Sequence, residues 1–307
     1  MKKIGIIGLA RNAESMIKHL VINPGIEIIG MYDTDFERAL RISQNTKLEF
    51  TTNPFGLIAQ SDLLIIPKTD ENSFNLIIES ILNSKHVIIE NPVYLSINEI
   101  EMISKLALEA SVSVVPFLPF RFNSCLLSTK SYIYNPDYLD ISYKTLPEFK
   151  KPPIGNSDII INVIDLVLNL VKANVKKVFA NAVRVVSASP QLVIIRLEFD
   201  NGCTASISFD FISTTDELQI TVYQPKQIVY IDLVRNTSNV KTFKSNNVLE
   251  YEVTKPDPIV SDNPYNEALN YLNAFEAFDT PVSLIESFKK SLIVLKKIED
   301  KLVHFIR

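Results

Sequence analysis

The sequence predicts an α/β chain in two parts: a doubly wound parallel sheet, then an α+β domain with an open, mostly antiparallel sheet. Three observations predict it. Through residue 117, short apolar strands alternate with amphipathic helices, a pattern that requires crossover connections and therefore a parallel sheet with both faces covered. From Lys177 to Leu233 five strand-like runs follow one another with no helix between them. The chain has 307 residues, 47% hydrophobic and 21% charged, enough for two cores at roughly 150 residues per domain. We divide it at 1–117 and 118–307.

In the first part, Lys3–Ile7 reads as a strand ending at Gly8. Ala13, Met16, Ile17, Leu20 and Val21 then fall on one helical face. Ile26–Tyr32 is the second strand and stops at Asp33; Asp62–Ile66 is the third. Phe74, Ile77, Ile78, Ile81 and Leu82 repeat the helical spacing before a strand at Val87–Ile89. Ser96 and Glu99 predict a capping box for a helix running to about Ala110, and Val112–Phe117 closes the sheet.

In the second part, Tyr138–Leu146 reads as a strand and Ile159–Val171 as a buried helix. Strands follow at Lys177–Val186, Leu192–Phe199, Thr204–Phe209, Leu218–Tyr223 and Ile228–Leu233. Asp200-Asn201-Gly202 is a hairpin signal between two of them. Lys255–Pro264 reads as a loop. Helices near Tyr265–Phe278 and Leu284–Ile306 end the chain, the latter capped by Ser283 with Glu286 or started at Thr280-Pro281.

Composition narrows the function classes. The formal charge is −4, so no basic excess exists to neutralise a nucleic-acid backbone. Two cysteines, Cys125 and Cys203, supply neither a disulfide framework nor a four-cysteine zinc site. His19, His86 and His304 have no partners at metal-ligand spacing, so no metal is expected. The apolar run Ile4–Ala10 is broken at Arg11, Asn12 and Glu14 with no processing site, and Ile159–Val171 is too short to span a bilayer. A cytoplasmic protein without membrane or nucleic-acid partners is expected.

The first chemical signal is Gly5-Ile6-Ile7-Gly8-Leu9-Ala10-Arg11-Asn12-Ala13, lying between a strand and a helix N-terminus, where free N–H groups and the helix dipole favour a pyrophosphate. Gly8 is the tight-turn glycine and Ala13 the helix-packing position. Ala10 stands where the pattern's middle glycine lets backbone approach the phosphates. Asp33, 25 residues after Gly8, is positioned to take the adenosine ribose hydroxyls, and its charge opposes a 2′-phosphate. This constellation predicts a Rossmann-type domain and NAD rather than NADP.

The second signal is Glu90-Asn91-Pro92 at a strand end. With the opening strand and loop, Pro67 after strand three and Phe117-Leu118-Pro119-Phe120-Arg121-Phe122, it resembles the Gfo/Idh/MocA oxidoreductases over the whole chain. The resemblance implies cofactor contacts at Gly8, Ala10, Arg11, Asn12, Asp33, Pro67 and Glu90. It implies catalytic positions at Asn91, Asp158 and Asn162, and substrate contacts at Asp158, Arg121 and Tyr94. It also implies a small sugar, polyol or derivative as substrate, and a homodimer or homotetramer formed through the second sheet.

This chain departs from that family where proton chemistry belongs. Family dehydrogenases have Glu-Lys-Pro where Glu90-Asn91-Pro92 stands, and D-x-G-x-H-x-x-D where Asp158 to Asp165 stands, with Ile160 for the glycine and Asn162 for the histidine. A positioned acid–base group contributes about 10²–10⁴ in rate, and an amide does not relay a proton readily. Three readings fit: an NAD(P)-dependent oxidoreductase with altered catalytic residues, a reductase of the biliverdin-reductase kind, and a non-catalytic nucleotide- or sugar-sensing scaffold.

Overall fold

The computed structural model describes residues 1–10, 13–67, 73–147, 157–187, 190–245, 248–257, 269 and 283–306, with backbone alone at 157, 283 and 304–306. The chain divides into two compact units, Met1–Pro119 with Asn263–Lys290, and Phe120–Asp262 with Ser291–Arg307.

In the first unit, β1 (Lys2–Ile7), β2 (Ile26–Tyr32), β3 (Leu63–Ile66), β4 (His86–Glu90) and β5 (Val114–Phe117) form a parallel sheet in the order β2-β1-β3-β4-β5. β3 and β5 are buried along their whole length, as strands covered on both faces must be. The chain steps from β1 to β2 on one side, then crosses to β3 on the other. The switch point therefore lies at the C-terminal ends of β1 and β3, where Gly8 and Pro67 follow.

The crossover helices are α1 (Ala13–Val21), α2 (Phe36–Thr46), α3 (Pro54–Gln60), α4 (Ser73–Leu82) and α5 (Ile97–Glu109). α1 buries Ala13, Met16, Ile17 and Leu20 as predicted, with Val21 exposed. α4 is rotated from the predicted face: it buries Ser73, Ile77, Ser80 and Ile81, and Leu82 is exposed. Two serines occupy the inner face because their size permits close approach, and Ser80 Oγ is satisfied by donating to the Leu76 carbonyl. The α5 capping box is formed: Glu99 N–H donates to Ser96 Oγ at 3.2 Å and Ser96 N–H to Glu99 Oε2 at 2.7 Å.

In the second unit, β6 (Tyr138–Lys144), β7 (Val175–Val183), β8 (Leu192–Phe199), β9 (Thr204–Asp210), β10 (Glu217–Gln224), β11 (Gln227–Asp232), β12 (Thr237–Phe243) and β13 (Tyr251–Thr254) form one sheet in the order β13-β12-β11-β10-β6-β9-β8-β7. Every neighbouring pair is antiparallel except β6–β9. Asp200-Asn201-Gly202 turns β8 into β9, and Gly202 takes the left-handed φ of 90° that this turn requires. α6 (Ser124–Thr129) follows a one-turn 3₁₀ segment at Pro119–Phe122, and α7 (Ser157–Val171) is buried nearly all round. The last helix, α8 (Ser283–Ile306), spans both units. Apart from Leu269, which is buried, the helix expected near Tyr265–Phe278 lies outside the described residues, as does the side chain of the expected cap Ser283. No helix among the described residues is long and apolar enough to cross a membrane.

Candidate functional site

The turn after β1 is built on Gly8, which adopts φ 83° and donates its N–H to the Tyr32 carbonyl at 2.8 Å, tying the end of β1 to the end of β2. Asp33 follows β2 directly. Its side chain is 2% exposed. Oδ2 accepts the Leu9 N–H at 2.7 Å, and Oδ1 accepts the Asp35 N–H at 2.7 Å. Asp33 thus fixes the loop that the sequence reads as the phosphate turn.

A third group completes the cluster, one that the motif did not reveal. Arg38, in the first turn of α2, donates Nη1 to the Leu9 carbonyl at 3.1 Å and lies 3.5 Å from Asp33 Oδ2. Its Nη2 donates to Asp35 Oδ2 at 2.8 Å. Asp35 also N-caps α2 by accepting the Arg38 N–H. That backbone hydrogen bond and the adjacent guanidinium hold the Asp35 carboxyl below its ordinary pKa.

Beside this cluster is a cavity of about 250 Å³ lined by Ile7, Gly8, Tyr32, Asp33, Phe55 and Leu76 among others. Pro54, at the first position of α3, and the half-exposed Phe55 give it an apolar wall. A buried carboxylate, a left-handed glycine and a flat apolar wall are the donor set and shape that an adenosine ribose and base require. The residues present therefore fit the adenosine end of a dinucleotide. Ala10 is half-buried and its carbonyl accepts the Ala13 N–H at the start of α1; Arg11 and Asn12 lie outside the described residues.

Pro67 is buried at the end of β3, and Glu90 is half-buried at the end of the neighbouring β4. Asn91 follows with φ 42°, its N–H donating to the Phe117 carbonyl at 3.1 Å and its carbonyl accepting the Val93 N–H at 2.7 Å. Tyr94 is 72% exposed. One strand-end edge thus carries Gly8, Asp33, Pro67, Glu90 and Asn91.

The other predicted residues belong to the second unit. On α7, Asn162 is buried and its Nδ2 donates to the Asp158 carbonyl at 2.7 Å. Asp165 is fully buried and receives Arg121 through both Nε (2.8 Å) and Nη2 (2.5 Å). Ser291 Oγ donates to the same carboxylate at 2.9 Å, and Asn169 Nδ2 lies 3.3 Å from it. Arg121, offered as a substrate contact, is mostly committed to this network. Of the histidines, His86 Nδ1 accepts the Ser113 N–H and His19 Nδ1 bonds the Ser15 carbonyl.

The model of an oxidoreductase family with an NAD-binding Rossmann fold, GFO_IDH_MocA, matches residues 2–117, from β1 through β5. No curated protein sequence matches the chain. Among solved structures, UDP-N-acetylglucosamine 3-dehydrogenase GnnA from Acidithiobacillus ferrooxidans is similar with a TM-score of 0.87 and 17% identity, covering 100% of this chain and 99% of its own. A probable dehydrogenase from Thermotoga maritima has a TM-score of 0.79 at 18% identity, with 98% and 97% covered. An oxidoreductase from Agrobacterium radiobacter in complex with NAD⁺, L-tartaric acid and magnesium has 0.80 at 13% identity, with 98% and 96% covered.

Proposed function

We propose that this chain, whose residues 2–117 match the model of the Gfo/Idh/MocA oxidoreductase family, is a member of that family that binds NAD and acts on a small sugar, polyol or derivative with an altered proton-transfer set. The observation that carries this reading is the Asp33–Gly8 cavity, where a buried carboxylate stands beside the left-handed turn after β1. Asp33 would hold the ribose, Gly8 and Ala10 with the following loop would meet the pyrophosphate, and Pro67 and Glu90 would flank the nicotinamide half. Bound nicotinamide supplies the hydride chemistry.

Asn91, Asp158 and Asn162 are the proposed substrate-side positions, with Tyr94 as a further contact. Asp158 is the ionisable group among the three, so proton movement in this reading falls to it. A specific observation favours the scaffold alternative. The Asn162 amide is turned back onto its own helix at 2.7 Å, as an interior asparagine with a structural role would be. Arg121 acts by holding α7 through Asp165. We further propose a homo-oligomer formed through the outer face of the second sheet.

Calorimetric titration with NAD⁺ and NADH tests the reading. Micromolar binding supports a cofactor-using protein, and no binding of either at millimolar concentration overturns it. In a chain that binds, Asn91→Lys together with Asn162→His should add measurable sugar dehydrogenase activity. A folded double variant that binds both NAD⁺ and sugar yet stays inert counts against these two positions.

A further inference from the structure

We infer that the open edge of β7 takes an extended acidic peptide as a further strand, with Lys176, Lys297 and Lys301 receiving its carboxylates. The site lies within the second unit and is independent of the dinucleotide reading. β7 ends the eight-stranded sheet: it pairs with β8 on one side, and among the described residues no strand pairs with its other side. Two hydrogen bonds fix the direction of its backbone groups. The Val183 carbonyl accepts the Gln191 N–H at 2.9 Å, so Val183 faces β8. The Ala182 N–H turns the opposite way and donates to Asn181 Oδ1 at 2.8 Å. By the alternation of a strand, Val178 and Ala180 present their N–H and C=O groups to the same open edge. Among the described residues no side chain satisfies them as Asn181 satisfies Ala182.

Along this edge a groove of about 520 Å³ separates β7 from α8, lined by Lys176, Lys177, Phe179, Lys297, Asp300 and Lys301 among others. Lys176 is the extra residue of a β-bulge. The register passes from Val175 to Lys177, so Lys176 stands outside the ladder, where a bulge re-aims a side chain. Lys297 and Lys301 are four residues apart on α8 and share a face. These three lysines are exposed and, among the described residues, paired with no carboxylate; Lys177 lies 3.7 Å from Glu198. The groove thus holds four lysines against one carboxylate, in a chain whose formal charge is −4. Lysines on an edge strand repel basic strands and a second copy of the same edge, and they favour an acidic strand. An added strand gains affinity from main-chain hydrogen bonds and specificity from alternate side chains. Its carboxylates would meet the α8 lysines, and its apolar residues would meet Phe179, which is 50% exposed. A small oxyanion would use the lysines alone, whereas the unpaired backbone beside them suits an extended chain.

Fluorescence anisotropy on the full chain tests this with a capped, labelled peptide of about eight residues alternating aspartate and valine, the period that puts its carboxylates on one face. The peptide should bind, and more weakly as salt is raised from about 50 to 200 mM. Lys297→Gln with Lys301→Gln should weaken binding at least about ten-fold. Lys18→Gln with Lys105→Gln removes the same charge from exposed helices of the first unit and should leave binding unchanged. Amide hydrogen exchange at Val178 and Ala180 should slow in the complex. A fully N-methylated peptide, equal in charge but without amide donors, should bind at least about ten-fold more weakly. Inorganic triphosphate should bind more weakly than the parent peptide. No binding at millimolar peptide, or binding unmoved by the Lys297 and Lys301 substitutions, overturns the inference. N-methylated peptide or triphosphate binding as tightly as the parent, or unchanged exchange at Val178 and Ala180, overturns strand addition and leaves a groove that attracts anions by charge alone.

Discussion

Asn91 combines a left-handed backbone, φ 42°, with a following proline, a pairing that most side chains resist. Asparagine is among the few non-glycine residues that tolerate this region. The amide at this position therefore has a backbone reason as well as a chemical one. Asn91→Gly should leave the urea midpoint close to wild type, whereas Asn91→Val should lower stability by about 1–2 kcal/mol, because a β-branched side chain crowds the next carbonyl in this conformation. Equal destabilisation by both would remove the backbone explanation. Cys203 allows a pH prediction. Burial, reinforced by the Asp137 carboxylate, pushes its thiol up to about 11, from 9.0 when unfolded. The native state thus retains a proton that the unfolded chain gives up. The associated stability is complete below pH 9 and is lost as pH rises towards 11. Melting temperatures across that window should fall more steeply in wild type than in Cys203→Ala. At this scale Gly8 and Asp33 were legible because a strand, a turn and a charge at fixed spacing are local features. Arg38 was not, since its role depends on the Leu9 carbonyl 29 residues away and on two carboxylates meeting one guanidinium.

Elements were legible where burial imposed a period. β2 and β8 have the bounds read from sequence, and the alternation in β8 is real: Val193, Ile195, Leu197 and Phe199 are buried while Ile194 and Arg196 face outward. β12 and β13 were not read as strands. Their residues TSNVKTF and YEVT carry little apolar alternation, and β13 is exposed throughout at the sheet edge. α3 and α6 escaped because each is short, and α2 because it buries few apolar side chains, only Ala39 and Ile42, behind its Asp35 cap. The Arg121–Asp165 pairing spans 44 residues, beyond any local pattern. That network joins the segment after β5, α7 and α8, and a buried carboxylate with three donors is sensitive to losing its partner. Arg121→Met alone should destabilise the chain by about 3–5 kcal/mol by stranding the Asp165 charge, and Arg121→Met with Asp165→Leu should recover most of that. Urea unfolding of the two single variants and the pair gives the coupling directly. Additivity between the single variants would mean that the ion pair does not act as one unit.

At the scale of the whole molecule, the second sheet raises the question of what covers its outer face. Register places Phe179 opposite Arg196, Ile194 between Asn181 and Ser208, and Tyr223 between Tyr138 and Ile228. Phe179, Ile194, Tyr138, Tyr223 and Tyr230 are each 38–50% exposed, an apolar and aromatic content that isolated sheet faces seldom leave to water. Eight strands at roughly 4.8 Å spacing and about six residues each give a face of about 38 Å by 20 Å. That approaches the roughly 800 Å² per partner of a standard interface. The outer face is thus large enough to form a stable pair with a second copy, and several of its charges are already paired within the sheet, Lys144 with Glu217 and Lys177 and Arg196 with Glu198. Light scattering at tens of micromolar should return at least twice the 34.7 kDa of the chain. Ile194→Glu with Tyr223→Glu puts four carboxylates across a two-fold contact while leaving the buried side of the sheet intact, so it should yield monomers with an unchanged circular dichroism spectrum. A wild-type monomer at that concentration would refute association through this face, and an oligomer untouched by the double substitution would move the contact elsewhere on the molecule.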